Sequence, residues 1–216
     1  LKKNFKKKFK FIKLDITNKK NLNSLFKRYK IKKVIHLAAQ AGVRYSIYNP
    51  SVYLDTNVKG FFNILDVSKN FKVRHFIFSS SSSVYGDQKK YPIKETDETS
   101  KPLSFYAATK KTNEVLSHSY SKIYGLPITC LRLFTVYGPY GRPDMAPYKF
   151  TKAAIEKKPI KVYNNGKHKR DFTYVSDVAK AIYKLVPIRP KKNTFQTINV
   201  CSSKTVTLMN FINLVE

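Results

Sequence analysis

Short apolar runs recur along this chain, each separated from the next by a longer amphipathic stretch, and no other feature restricts the possible folds as far. Runs at residues 9–14, 33–38, 75–80, 128–133 and 197–200, with a shorter one at 160–163, are too brief for helices. They are also too continuously apolar for strands that face water on one side, which marks strands buried on both faces. Such strands, joined by helices, form a parallel sheet, so the expected class is α/β with a doubly wound parallel sheet.

The stretches between the runs carry helix signals. Asn49 followed by Pro50 predicts a helix over 49–69, because asparagine caps a first turn and proline fits inside it. Ser104 predicts another that runs through Tyr124 and stops at Gly125, before Pro127. Further helices are predicted over 147–157, 177–185 and 208–216. The turn-rich stretch from Gly138 to Arg142 breaks the regular alternation. Residues 1–137 therefore read as one α/β domain and 138–216 mainly as a smaller region, with 172–200 returning in part to the first.

Two segments carry residue types that suit chemistry. Tyr106 and Lys110 stand four apart near the start of a helix, hence on one face, where the ammonium is expected to lower the phenol's pKa. Such a pair can take a proton from a hydroxyl at neutral pH. An ordinary amphipathic helix also places tyrosine and lysine so. Upstream, the run at 75–80 leads into Ser81-Ser82-Ser83-Val84-Tyr85-Gly86, a hydroxyl cluster at the carboxyl end of a strand, where open α/β sheets bind ligands. A plain polar loop is the alternative.

Charge narrows the partners. The chain holds 42 Lys plus Arg against 13 Asp plus Glu, a net +29, which on its face suits nucleic acid or another polyanion. The lysines are spread throughout and few arginines lie among them, whereas base readout favours clustered arginines on one element. Nucleic acid is therefore not the expected partner, and the same field favours a small phosphate-bearing substrate. Cys130 and Cys201 lie far apart, and His36, His75, His118 and His168 do not cluster, so neither a disulfide framework nor a metal site is expected. No run reaches the roughly 20 apolar residues of a membrane span, and the first residues lack a signal peptide's pattern. A soluble, cytoplasmic protein with no membrane partner is expected.

Taken together, the serine cluster and the Tyr106/Lys110 pair resemble the extended branch of the short-chain dehydrogenase/reductase superfamily, the NAD-dependent epimerases and dehydratases of nucleotide sugars. The likeness continues through HLAAQAGVRYS (36–46), NVKGFFNIL (57–65), LRLFTVYGPYGRPDM (131–145) and KRDFTYVSDVA (169–179), and is greatest to the UDP-glucuronate 4-epimerases. It implies a Rossmann-like domain that binds NAD, a UDP-sugar substrate, and a homodimer. It implies Ser81 as the hydrogen-bond partner of the substrate oxygen, Tyr106 as the base and Lys110 as the ligand of the cofactor ribose. Asp15 and Ile16 would lie at the adenine, and Leu37, Ala38 and Ala39 along the cofactor diphosphate. Arg170 would meet the substrate diphosphate, while Thr135 and Arg142 would grip a sugar carboxylate. Arg44 is a second candidate for that grip, with a structural role in its loop as the equal alternative.

The resemblance also separates neighbouring activities. Dehydratases of this branch carry Asp-Glu, and the related decarboxylases a glutamate, where this chain has Ser82 and Ser83 beside the substrate. Hydroxyls cannot replace carboxylates in proton transfer near neutral pH. What remains is 4-epimerisation, of UDP-glucuronate in the first place and of UDP-glucose or a UDP-N-acetylhexosamine as the alternative. A silent relative that binds nucleotide or polyanion is the reading from another class. The family's opening strand and glycine-rich turn, GxxGxxG, have no counterpart in this sequence. The chain is accordingly expected to be a piece of a longer protein, lacking the first strand-turn-helix and the end of the substrate domain.

Overall fold

In the computed structural model, which describes residues 8–162, 164–166 and 169–215, strand β2 (His75–Ser81) is buried at all seven positions. Strands β1 (Lys33–His36) and β3 (Ile128–Leu133) flank it and β6 (Phe195–Val200) follows, giving a sheet of order β1-β2-β3-β6 in which every pairing is parallel. Side chains alternate across such a sheet. Phe76 and Phe78 therefore join Ile128 and Cys130 on one face, against Leu22 and Phe26 of α1 (Lys19–Tyr29) and Phe61 and Leu65 of α4 (Phe61–Asn70). Ile77 and Leu131 point the other way, onto Val178 of α7 (Val175–Leu185). The long helix α5 (Phe105–Tyr124) lies on the phenylalanine side. Ser104 Oγ caps it by accepting from Ala107 N at 3.1 Å, and Gly125 ends it in the left-handed conformation.

A smaller sheet of order β4-β5-β7 is built from Thr135–Tyr137, Lys169–Tyr174 and Thr205–Thr207. Its first pairing is parallel and its second antiparallel. Helices α6 (Ala146–Ile155) and α8 (Leu208–Val215) accompany it, with Phe211 between Phe172 and Phe150 at ring distances of 4.9 and 6.0 Å. No helix among the described residues is long and apolar enough to cross a membrane.

Three expectations are corrected. Residues 9–14 form no strand: Phe11 and Ile12 are exposed, and only Leu14 packs on the core. A parallel strand needs a neighbour's main chain, and the edge strand β1 pairs with β2 alone. Residues 160–162 are likewise not a strand, and Tyr163 lies outside the described residues, as do His168 and Glu216. The single helix expected over 49–69 is instead α2 (Tyr45–Tyr48), α3 (Pro50–Tyr53), π-helical turns over Leu54–Gly60, and α4. Asn57 supplies the reason. Its side chain accepts from Gln40 N at 2.7 Å and donates to Gln40 O at 3.0 Å and Thr109 Oγ1 at 3.1 Å, drawing the widened turn onto the loop after β1.

Truncating a ring in the two-sided core is therefore costly and truncating one in the unpaired segment is not. Phe78→Ala should cost about 3–5 kcal/mol in urea denaturation, and Phe11→Ala no more than about 0.5 kcal/mol.

Candidate active site

Ser81 ends β2 in extended conformation and caps the short turn Ser82–Tyr85. Its hydroxyl accepts from Ser83 N at 3.2 Å and donates to Ser83 Oγ at 3.1 Å, which fixes its direction. The turn closes at Gly86 (φ +64°), where a Cβ would stand 2.5 Å from the Lys101 carbonyl oxygen. Only glycine fits there. Ser82 and Ser83 are half-buried.

The first turns of α5 bring Tyr106 and Lys110 to this strand end. Tyr106 N donates to Ser46 Oγ at 3.2 Å, and its ring meets the buried Tyr53 edge-on at 6.2 Å. The Tyr53 hydroxyl is itself tied to the carbonyls of Ala41 (3.0 Å) and Gly42 (2.6 Å). Lys110 is 3% exposed, and its ammonium donates to Ser79 O at 2.8 Å. Burial lowers its pKa to about 8.

The phenol does not behave as expected from the Tyr106/Lys110 spacing. Burial raises the Tyr106 pKa, against a hydrogen bond to Ser81 and the positive charge of Arg142, which pull it down. Lys110 lies 6.0 Å from the ring centroid and is not among the groups that lower it. The four-residue spacing stacks the ammonium on the ring, while its proton points to the strand carbonyl.

Arg142 stands between this set and an open cavity. Its Nη2 is 3.1 Å from where a Cβ on Gly42 (φ +113°) would be. It also lines a cavity of about 580 Å³ with Tyr137, Tyr140, Tyr148 and Lys152. Its guanidinium is engaged by Asp144, with Nε to Oδ1 at 2.9 Å and Nη2 to Oδ2. Thr135 begins β4, half-buried and opposite Phe172.

The remaining expected residues lie further out. Leu37 and Ala38 are exposed past the end of β1, and Ala39 is half-buried behind them. Asp15 is exposed and closes a turn through Thr17 N at 2.8 Å, which keeps its carboxyl below the usual value. Ile16 packs against Gly60, where a Cβ would meet it at 2.7 Å. Arg44 is exposed at the start of α2. Arg170 is exposed on β5 and donates to its neighbour's carbonyl, Lys169 O, at 2.9 Å. Among the described residues no hydrogen bond joins it to Ser81, Tyr106 or Lys110.

A serine, a tyrosine and a lysine gathered at the carboxyl end of a central parallel strand are what the family resemblance implies. The family model for the NAD dependent epimerase/dehydratase family matches residues 1–201. The chain belongs to that family. Protein CapI of Staphylococcus aureus is 46% identical over 98% of this chain and 68% of its own length. The UDP-glucuronate 4-epimerase of Thermodesulfobacterium geofontis is 44% identical over 96% and 63%. Among solved structures, UDP-glucuronic acid 4-epimerase from Bacillus cereus, in complex with UDP-glucuronic acid and NAD, superposes with a TM-score of 0.89 at 35% identity. That match covers 97% of this chain and 65% of the other. The chain thus spans about two thirds of the length of these relatives.

Family membership raises the question whether the residues present suit NAD. Lys110 is a buried ammonium that faces no carboxylate among the described residues and spends one proton on Ser79 O, so further donors are free for a ribose diol. Leu37 and Ala38, past the end of β1, are exposed. These groups fit the ribose side of the cofactor.

Several site residues escape sequence reasoning. Tyr53 and Asn57 act through the main chain of the loop after β1, which no spacing rule reveals. Glu114 and Arg132 form a buried ion pair, with Arg132 Nη2 2.9 Å from Glu114 Oε2. An arginine inside the apolar run ITCLRL was the available signal.

His36, boxed by Phe61 and Phe76 at ring distances of 5.4 and 6.4 Å, has its pKa lowered to about 4 by burial and then by the Lys110 charge. The fold keeps it neutral, while the unfolded chain takes up a proton below about pH 6.5. Its contribution is whole above that pH and is lost as pH falls towards 4, up to about 3 kcal/mol. His36→Phe should flatten stability across this window, as read by denaturant titrations at stepped pH.

Proposed function

We propose that this protein catalyses NAD-dependent 4-epimerisation of a UDP-sugar, with UDP-glucuronate as substrate and UDP-galacturonate as product. The convergence of Ser81, Tyr106 and Lys110 at the end of β2 carries this reading. Ser81 holds the sugar's 4-oxygen through its oriented hydroxyl. Tyr106 takes the proton from that oxygen as the carbon becomes a ketone, and returns it when the carbon is reduced from the opposite face. NAD, when bound, would supply the acceptor and the donor for the hydride. Lys110 would hold its ribose, as the free donors of a buried ammonium suggest.

Thr135 and Arg142 are assigned to the sugar carboxylate. A 4-keto uronate is a β-keto acid and loses carbon dioxide readily unless its carboxylate is held with the breaking bond near the carbonyl plane. A guanidinium fork with a hydroxyl can impose that orientation. The position of Arg142, between the Gly42 loop and the cavity, supports this role. Ser82 and Ser83 supply no carboxylate beside the reacting carbons, consistent with neither dehydration nor decarboxylation. The aromatic cavity along Tyr137, Tyr140 and Tyr148 suits the nucleotide, with Arg170 and Arg44 as further contacts for phosphate and sugar. Asp15 and Ile16, with Leu37, Ala38 and Ala39, are assigned to the cofactor's adenine and diphosphate. A homodimer is part of the same proposal.

One observation favours a neutral sugar instead. Asp144 already engages Arg142, so a substrate carboxylate must compete for the fork.

Purified protein supplied with NAD and UDP-glucuronate should yield UDP-galacturonate, followed by chromatography of the sugar nucleotides. Tyr106→Phe should lower kcat by about 10²–10⁴-fold. An unchanged rate in that variant, or no product from folded protein, would refute the assignment. Arg142→Ala should lower kcat/KM for UDP-glucuronate by about tenfold or more, the scale of a lost charge-assisted pair. It should leave UDP-glucose nearly unaffected, and equal losses on both sugars would favour the neutral-sugar reading.

A further inference from the structure

The phenylalanine face of the large sheet ends in a polar row. Ser80, Arg132 and Asn199 are partners in one register line across β2, β3 and β6. Their side chains share a face, since residues directly opposite in a ladder point the same way. Glu114, two turns along α5 from Tyr106, caps the row: its Oε1 accepts from Ser80 Oγ at 2.7 Å and from Arg132 Nε at 2.9 Å. Arg132 Nη2 adds a second bond to Oε2 at 2.9 Å. From Nη1, Arg132 reaches Tyr85 Oη at 2.8 Å and Glu95 O at 3.0 Å. Tyr85 passes the chain on to Asn199 Oδ1 at 2.7 Å, and Asn199 N donates to Glu95 Oε1 at 2.8 Å.

Stability alone does not account for this arrangement. Both partners are about 95% buried, with 5% and 4% of their side chains exposed. Apolar residues of the same volume usually serve a core as well as such a pair or better. What apolar residues cannot supply is a fixed distance and direction, which a bidentate fork does. The fork's contacts fall on the three segments that carry the proposed chemistry. Ser80 adjoins Ser81, Glu114 is one turn past Lys110, and Tyr85 belongs to the turn that Ser81 caps.

We propose that the Glu114–Arg132 pair is the positioning element of the catalytic set. It fixes the height of α5 against the carboxyl end of β2, and so the reach of Tyr106 to Ser81. Through Tyr85 and Asn199 it anchors the Val84-Tyr85-Gly86 turn and the loop at Ile93 and Glu95 in the same frame. Glu114 and Arg132 touch no reacting atom, so they act on the rate through geometry. This inference rests on Tyr106 and Ser81 acting as proposed above.

The test uses the double variant Glu114→Met/Arg132→Leu, which removes both charges together, with Ser80→Ala and Tyr85→Phe as milder cuts. The double variant should melt near the parent, yet lose about 10²-fold in kcat, the scale of an ångström of misplacement. KM for the UDP-sugar should stay within about threefold, because Thr135, Arg142 and Arg170, assigned to the carboxylate and phosphate, take no part in the pair's hydrogen bonds. Amide hydrogen exchange over residues 79–86 should quicken while that over α1 and β1 does not. A folded double variant with parent kcat and parent exchange would overturn the proposal. If the double variant does not fold, the milder pair decides: reduced kcat with unchanged KM supports positioning, and parent values refute it. Should the parent turn over no UDP-sugar, the assigned reaction fails, and the exchange pattern alone still judges the positioning claim.

Discussion

A parallel strand buried on both faces is the constraint on which the rest of this structure depends. β2 is enclosed along its whole length, so each of its residues answers to one helical layer or the other. Phe76 and Phe78 lock it to α1, α4 and α5, and Ile77 locks it to α7. Towards its carboxyl end the side chains change from phenylalanine to serine, and Ser81 is its most exposed position at 9%. Water, ligand and main-chain polarity can enter the sheet at that point and not elsewhere along the strand. The site's location follows from the packing before any catalytic residue is named.

Helix α5 turns that location into a site. It is held by its Ser104 cap at one end and Gly125 at the other, and between them one face carries Tyr106, Lys110 and Glu114 in succession. Each meets the same strand end differently: the phenol at Ser81, the ammonium at the Ser79 carbonyl, the carboxylate at the Ser80 hydroxyl. Three consecutive serines are thus read by three residues spaced one helical turn apart. A slide of α5 along β2 would break all three contacts together, which makes the register between helix and strand effectively discrete.

Apolar runs and capping rules reveal the parts of this design that are local. The strands at 75–80 and 128–133, the Ser104 and Gly125 caps, and the Tyr106/Lys110 face belong to that class. What they miss depends on partners distant in the chain. Asn57 widens a helix because Gln40, seventeen residues earlier, offers it a main-chain pair. β4, β5 and β7 are short and largely half-exposed, so their apolar pattern is too weak to stand out. The run at 9–14 has the right composition for a strand but no neighbour in the sheet, and composition cannot supply one. Even the Tyr106/Lys110 spacing, read correctly as one face, misleads about the phenol, because burial raises its pKa while the Lys110 hydrogen bond points to the Ser79 carbonyl.

The balance of charge around the phenol bears on the base role proposed for Tyr106, whose pKa burial raises. Arg132 is answered by Glu114, and Arg142 by Asp144, but Lys110 faces no carboxylate among the described residues. Neutral His36, kept so by its aromatic box, adds no second positive charge beside it. Among the described residues Lys110 is therefore a buried cation with no carboxylate partner, 6.0 Å from the Tyr106 ring centroid, in surroundings of low polarity where charges act over longer distances than in water. At rest this cation is costly, which is why burial pulls the Lys110 pKa down to about 8. The groups that pull the Tyr106 phenol down are instead the Ser81 hydrogen bond and the Arg142 charge, against the burial that raises it.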